Sequence, residues 1–500
     1  MWSLWHRLDR SVFDRAFGSR RNPLRHLGAL GFASFVVMAA SGIGLYAVLD
    51  TSASGAYRSI AEGGAIVGLM RSLHRYAADA FVILLALHAL REALAGHTRF
   101  WRRWSWLSGV ALIALVYASG IGGFWLHWDR LGQYSATATA EWLDALPLLA
   151  TPLARNFLGA QAVSDRLFSL FVFVHIGVAL LIALGLWLHV QRLSRPLVWP
   201  PRQLAVGFGL TLLALALLWP VRSDAPAALA QAPQALRLDW LLLFVHPMAE
   251  ALGARPAWLV VAAAFAGLAA LAFVPRRVRA PVAVVDPANC NGCRRCFADC
   301  PFAAIAMVPH PQRTMARELA VVDADLCASC GLCAGACPSS TPFRSAAELV
   351  TGIDLPQAPI GALRERLRRA LAASIAERKI VVFGCDQGAA VEPLAAADVT
   401  ALSLVCSGAL PPSFVEYALR DGAAGVLVAA CAEGGCEFRL GQRWTAERLQ
   451  GAREPHLRAS VPRERLELAW ADRGDEGSLR AALQRLRERV SALAPEVSHA

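Results

Sequence analysis

Four histidines stand in two pairs of the same spacing on strongly apolar segments. His74 and His88 are fourteen residues apart in LHRYAADAFVILLALHALRE, and His175 and His189 are fourteen apart in FVFVHIGVALLIALGLWLHV. On an α-helix fourteen residues make nearly four whole turns, so both members of a pair face one side, about 21 Å apart along the axis. Two such helices packed face to face offer two His–His pairs stacked across a membrane. That is a scaffold for two bis-histidine haems, one near each surface. A histidine in an apolar helix is often only a buried hydrogen-bonded group. Intramembrane ionisable groups are costly, however, and the repeated spacing favours ligation.

All twelve cysteines fall after residue 289. Eight form two runs, Cys290-x-x-Cys293-x-x-Cys296-x-x-x-Cys300-Pro and Cys327-x-x-Cys330-x-x-Cys333-x-x-x-Cys337-Pro. Each is the bacterial ferredoxin spacing, in which the fourth cysteine ligates the other cluster. One [4Fe–4S] cluster then takes Cys290, Cys293, Cys296 and Cys337, and the other takes Cys300, Cys327, Cys330 and Cys333. Zinc is the alternative for C-x-x-C pairs, but the third and fourth cysteines with their prolines argue against it. The last four, Cys385, Cys406, Cys431 and Cys436, fall at or just beyond the ends of expected strands, where a parallel sheet presents its ligand-binding edge. Four thiolates there suit either cluster type; scattered free cysteines are the alternative.

These ligands need elements to hold them. Hydrophobic residues make up 56% of the 500-residue chain and mean hydropathy is +0.43, concentrated in the first 275 residues. Six segments, roughly 27–48, 73–94, 106–127, 168–190, 203–220 and 256–274, read as membrane spans, and 239–252 as a half-inserted helix. The net charge of +11 does not indicate nucleic acid, because the arginines flank apolar spans. Arg20, Arg21 and Arg25, Arg91 to Arg103, Arg192 to Arg202, and Arg276 to Arg279 put both termini and the even-numbered connections inside. His74 and His175 then lie toward the outer face, and His88 and His189 toward the cytoplasm. The first residues are too basic and polar for a signal peptide and read as a cytoplasmic amphipathic segment. C-x-x-C spacing without a secretory signal favours metal ligation in a reducing compartment. No G-x-G-x-x-G follows a strand and there is no P-loop, so the chain is not expected to bind NADH or FAD itself.

The fold class expected is therefore multidomain. An all-α six-span membrane haem-b helix bundle occupies 1–280, and a small α+β 2[4Fe–4S] ferredoxin domain 281–345. A basic amphipathic linker helix lies in 346–378. A small α/β iron–sulfur domain fills 379–500, with strands at KIVVFG, TALSLV and AGVLVAA, a helix at PSFVEYALRDG and a charged helix near 475–493.

The first 275 residues resemble cytochrome b of the quinol–cytochrome c oxidoreductases. Arg71, three before His74, and Arg91, three after His88, stand where haem-propionate partners do in that family. Gly28 and Gly42, and Gly109 and Gly123, repeat the fourteen-residue period, and glycine lets a flat porphyrin approach the backbone. GGFWLHWDRLGQYSATATAEWL resembles the stretch after the third span, with His127 for a proline and Asp129 for a glycine. The quinol-oxidation motif Pro-Glu-Trp-Tyr is matched by Leu238-Asp239-Trp240-Leu241. Asp239 is thus either a quinol proton acceptor or an interfacial carboxylate, and His246 is a second proton group there. The matching inner region, around His26, Arg192 and Ser194, is the preferred place for a quinone.

The stretch from Val405 to Phe438 resembles the iron–sulfur delta subunit of methyl-viologen-reducing hydrogenases, also found fused to heterodisulfide reductases. The resemblance implies one [2Fe–2S] cluster on the four late cysteines. It also implies a cytoplasmic partner: a flavoprotein, a heterodisulfide-reductase-like subunit or another dehydrogenase subunit. Glu437 replaces the family's histidine beside the last cysteine. Together the resemblances imply two haem b, two [4Fe–4S] clusters, one [2Fe–2S] cluster and a membrane quinone, in a bacterial cytoplasmic membrane, and they allow homodimerisation through the cytochrome b module. Two readings stand: the quinone-reactive subunit of an oxidoreductase complex, or a non-catalytic electron-carrying anchor with the quinone or substrate site in partner subunits. A transporter is disfavoured, since the intramembrane histidines serve better as ligands.

Overall fold

The structure, a computed structural model, describes residues 5, 8–18, 21–147, 151–157, 163–191, 193, 196–231, 236–274, 281–312, 316–341 and 348–493. The chain divides into two compact units, Met1–Arg192 with Pro196–Pro275, and Leu193–Arg195 with Arg276–Ala500.

The first unit is helical. Its main helices are α1 (Leu27–Val48), α2 (Gly64–Leu94), α3 (Arg103–Trp125), α4 (Arg130–Asp144), α5 (Asp165–Gln191), α6 (Arg202–Leu218), α7 (Val245–Leu252) and α8 (Ala254–Ala270). Each of the six expected spans holds a helix. Three of these, α1, α3 and α5, are by themselves long and apolar enough to cross a membrane. At 31 residues α2 is long enough, but Arg71, Arg75, Asp79, Arg91 and Glu92 interrupt its apolar run. α6 and α8 have 17 residues each, below the usual spanning length of about 20.

α1 packs along α2, and α3 along α5. Phe81 of α2, Leu112 and Val116 of α3, Ile182 of α5 and Leu242 and Leu243 before α7 share one buried cluster. The outside of the bundle leaves Ile43, Phe173, Leu180 and Leu217 exposed, a surface suited to lipid rather than water. Asp129 starts α4: its carboxylate accepts from the Gly132 N–H at 2.9 Å, the usual service of an N-cap aspartate. The segment 239–252, expected as one half-inserted helix, is a turn followed by the eight-residue α7.

In the second unit, α9 (Arg295–Asp299), β1 (Ile305–Pro309), β2 (Glu318–Val322) and α10 (Leu332–Ala336) make the small cysteine-rich part, with β1 and β2 antiparallel. There follow α11 (Ile360–Ala373), β3 (Lys379–Cys385), β4 (Val399–Leu404), α12 (Ser413–Arg420), β5 (Ala423–Ala430), α13 (Gly441–Gln450), β6 (Leu466–Trp470) and α14 (Glu476–Ala492). The four strands form one parallel sheet in the order β4-β3-β5-β6. α11, read as a linker helix, is part of this fold: Ile360, Leu363, Leu367 and Leu371 are buried with Val381, Phe383, Phe414 and Val426. Its apolar stripe needs a surface to cover it, and one face of the sheet supplies it. α14 covers the other face with Leu479, Leu483 and Leu486.

Candidate cofactor-ligand sites

His74 and His88 ride on α2, and His175 and His189 on α5. The His74 and His175 rings face each other with centroids 6.2 Å apart and planes at 62°. Two metal–imidazole bonds of about 2 Å each, plus the two ring radii, fill about that distance. His88 and His189 lie close enough to interact electrostatically. All four rings are half-buried.

The neighbouring helices leave room for each ring with a glycine. A Cβ on Gly42 of α1 would come within 3.1 Å of His74 Cε1, and one on Gly28 within 3.6 Å of His88 Cε1. On α3, a Cβ on Gly123 or Gly109 would come within 3.1 or 3.4 Å of His175 or His189 Cε1. The glycine period thus matches the histidine period because α1 backs α2 and α3 backs α5. The space a side chain would take adjoins the imidazoles as well as any flat group between them.

Three rings are oriented by groups that spacing alone does not mark. His74 Nδ1 donates to the Met38 carbonyl at 2.9 Å and lies 3.1 Å from Ser41 Oγ. His175 Nδ1 donates to the Ser119 carbonyl at 2.9 Å, and His189 Nδ1 is 2.9 Å from Ser108 Oγ. A carbonyl can only accept, so His74 and His175 carry their proton on Nδ1 and present the Nε2 lone pair. That is the ligand-orienting pattern of metal-binding histidines. A signal was present in the sequence: Ser41 and Ser108 each precede one of the periodic glycines. His88 Nδ1 is buried without a hydrogen-bond partner among the described residues.

The expected propionate partners Arg71 and Arg91 both lie on α2. Arg71 donates to Ser223 Oγ at 2.5 Å, and Arg91 is half-buried near the end of α2. Asp239 is committed elsewhere. It forms an ion pair with Arg75 of α2, and its Oδ1 accepts from the N–H groups of Leu241 and Leu242 at 2.9 and 2.8 Å. Arg75 also reaches Asp79 and lies 4.8 Å over the Phe124 ring. The ion pair and the two amides engage both oxygens of the Asp239 carboxylate. His246 is buried between Ser135 and Thr139, 3.2 Å from each hydroxyl. Arg192 and Ser194 lie outside the described residues, as do the flanking charges Arg20, Arg195, Arg276, Arg277 and Arg279.

The ferredoxin runs share one backbone device. Gly292 and Arg294 have φ of 66° and 61°, and Ser329 and Gly331 have 56° and 79°. These are the same positions relative to Cys290 and Cys327. Left-handed residues there turn successive N–H groups inward, a form that suits anionic iron–sulfur clusters. Cys300, Cys327, Cys330 and Cys333 line one small pocket, with Phe302 and Leu332. The Ala304 N–H points at Cys300 Sγ at 3.3 Å. Burial first, then the thiols of Cys293, Cys337 and Cys290, pushes Cys296 up to about 12. Burial likewise pushes Cys300, Cys330 and Cys333 up. Thiolates there call for bound cations, as iron would supply.

Cys385 ends β3 and Cys431 follows its neighbour β5. Their sulfurs are 3.7 Å apart. Cys406 follows β4 and Cys436 precedes α13. Sulfur–sulfur hydrogen bonds close a ring in which Cys385 and Cys436 each meet Cys406 and Cys431. Those bonds hold Cys385 down to about 3 and Cys436 well below its ordinary value, while Cys406 and Cys431 are pushed up as donors. Among the described residues no three His, Cys, Asp or Glu side chains are arranged to hold one metal ion. In the order β4-β3-β5-β6 the chain changes direction between β3 and β5, the usual ligand crevice of such sheets. Cys385 and Cys431 stand there.

The chain joins segments similar to three redox families. Residues 23–195 match the family model of cytochrome b/b6/petB, 289–341 that of the 4Fe-4S dicluster domain, and 380–494 that of the methyl-viologen-reducing hydrogenase delta subunit. The cytochrome b match begins just before α1 and runs to just past α5, and so contains all four histidines and all four glycines. The dicluster match contains all eight ferredoxin cysteines, and the delta-subunit match contains the whole quartet. Among solved structures, a chain of a hyperthermophilic respiratory Complex III is 15% identical, with 53% of this chain and 80% of that chain covered and a TM-score of 0.41.

Proposed function

We propose that this chain is a membrane-bound electron-transfer subunit. It would pass electrons between a cytoplasmic flavoprotein, heterodisulfide-reductase-like or dehydrogenase partner and the membrane quinone pool. The observation that carries the reading is the facing of His74 and His175 at 6.2 Å between ring centroids, with Nδ1 engaged and a glycine behind each ring. His74 with His175, and His88 with His189, would each hold one haem b. The cysteines would hold two [4Fe–4S] clusters, divided as the ferredoxin spacing implies, and the quartet one [2Fe–2S] cluster. When bound, these groups supply one-electron couples; the chain's own residues fix their spacing, exclude water and orient the ligand lone pairs.

In this reading all six apolar helices cross a bacterial cytoplasmic membrane, α2 with its charges turned inward and α6 and α8 as short spans. Both termini and the iron–sulfur unit are cytoplasmic. The quinone reacts near the inner haem, by His26, because Asp239 is tied to Arg75 on the other side. The match to a delta-subunit family supports a flavoprotein partner, and the cytochrome b match supports the haems and allows a homodimer.

The test is composition first. Purified chain should contain two acid-acetone-extractable haems by pyridine haemochrome assay and about ten cluster irons; one haem or none in fully loaded protein would refute the haem assignment. Bound quinone, or inhibition by cytochrome b quinone-site compounds, separates a quinone-reactive subunit from an electron-carrying anchor.

A further inference from the structure

Arg448, on α13, is 1% exposed, and its guanidinium ties together the two iron–sulfur parts of the second unit. Nη1 donates to the Gly408 carbonyl at 2.8 Å, two residues past Cys406. Nη2 donates to the Asp299 carboxylate at 2.5 Å, one residue before Cys300, and to the Leu332 carbonyl at 3.3 Å, one residue before Cys333. One cation thus touches the loop of the quartet and both ligand loops of one ferredoxin site, the one lined by Cys300, Cys327, Cys330 and Cys333.

The surroundings reinforce this arrangement. Arg453 holds the other Asp299 oxygen at 2.5 Å and lies 3.3 Å over the Trp444 ring. Trp444 Nε1 donates to the Asp299 carbonyl at 3.1 Å. Where α10 meets the Cys406 loop, side chains are missing. A Cβ on Gly335 would meet Arg448 Nη1 at 2.8 Å, and one on Gly331 would meet Ala409 Cβ at 2.8 Å. The two ligand loops therefore approach nearly backbone to backbone. A buried ion pair is weak grounds for stability, since apolar replacements often do as well. A charge placed between two anionic clusters has a different use: it favours the added electron on either side.

We infer that Arg448 is a positioning residue for electron exchange between the quartet and the Cys300/Cys327/Cys330/Cys333 site, and that its charge raises the reduction potential of both. The inference rests on the reading that these cysteines hold clusters. In the exchange one electron leaves one cluster and enters the other; no bond forms or breaks and no proton moves. A reduced flavin of the partner, or a chemical reductant in the test, supplies the electron. Among the described residues this guanidinium makes no hydrogen bond next to Cys290, Cys293 or Cys337, so the Cys290/Cys293/Cys296/Cys337 site stands second in line.

The experiment is a redox titration of the full chain followed by electron paramagnetic resonance, on the unaltered protein, Arg448→Met and Arg448→Lys. Arg448→Met should lower the reduction equilibrium constants of the quartet and its neighbour on the order of tenfold, about 59 mV for a one-electron couple. The shift at the third cluster should be smaller. The magnetic coupling between the two adjacent clusters should weaken. Arg448→Lys should restore the potentials but not the coupling, because an ammonium cannot make the forked contacts of a guanidinium. Unchanged potentials in Arg448→Met, or an equal shift at all three clusters, would overturn the inference. If Arg448→Met does not keep its clusters, Arg448→Lys decides, and unaltered coupling there overturns it. Iron and sulfide analysis of the unaltered chain reports separately on the underlying cluster reading.

Discussion

Asp239 is ion-paired with Arg75, a residue on the same helix that carries His74 and His88. The pair joins the turn before α7 to α2.

Asp239→Asn should keep its turn hydrogen bonds and lose the ion pair. We expect a loss of roughly 1–3 kcal/mol in stability, both haems retained, and quinone-linked haem oxidation within about twofold of the unaltered protein. Haem spectra and quinol-driven haem reduction kinetics check this. A collapse of the kinetics with both haems in place would move the quinone site to the Asp239 side.

Gly42 and Gly123 flank the same pair of rings. Gly42→Leu should block the His74/His175 site and leave the His88/His189 site filled, giving one haem per chain in the pyridine haemochrome assay. His88→Ala should give the complementary loss. Two haems in both variants would show that these residues do not define the sites.

Cys431 stands at the β3–β5 crevice, far in sequence from the ferredoxin runs. Cys431→Ser should remove the [2Fe–2S] resonance and leave both [4Fe–4S] resonances. Loss of all three from folded protein would mean that the quartet and the ferredoxin sites are not independent.

Asp129 offers a pH test outside the spans. Burial pushes its carboxyl up, but the His127 hydrogen bond and charge, with the Gly132 and Asp224 N–H groups, hold it down to about 2. A depressed folded pKa stabilises the protein above the unfolded value near 3.8, and the benefit is lost as pH falls from about 4 toward 2. The shift corresponds to about 2 kcal/mol. Asp129→Asn should lower the thermal midpoint in detergent at pH 7 and flatten its fall between pH 4 and 2.

The ligand types and their spacing are local properties, and the sequence by itself determined them. A period of fourteen on apolar helices puts His74 with His88 and His175 with His189 on common faces, because helical pitch is fixed by backbone chemistry. The parallel strands at β3, β4 and β5 were likewise legible as short apolar runs bounded by turns. β6, at LELAW, alternates too weakly to stand out, and α13 lacks a continuous apolar stripe.

What only the tertiary structure decided are pairings between distant residues. That α1 backs α2 while α3 backs α5 assigns each glycine to its histidine. That Met38, Ser108 and Ser119 reach the ring nitrogens depends on helix rotation, which no single segment encodes. Asp239 meets Arg75, more than 160 positions earlier, only because the fold brings them together. α11 became part of a core once a sheet existed to cover its apolar face. Arg448 and Asp299, 149 residues apart, look like ordinary surface charges in the sequence; burial between two ligand loops is what gives them a role.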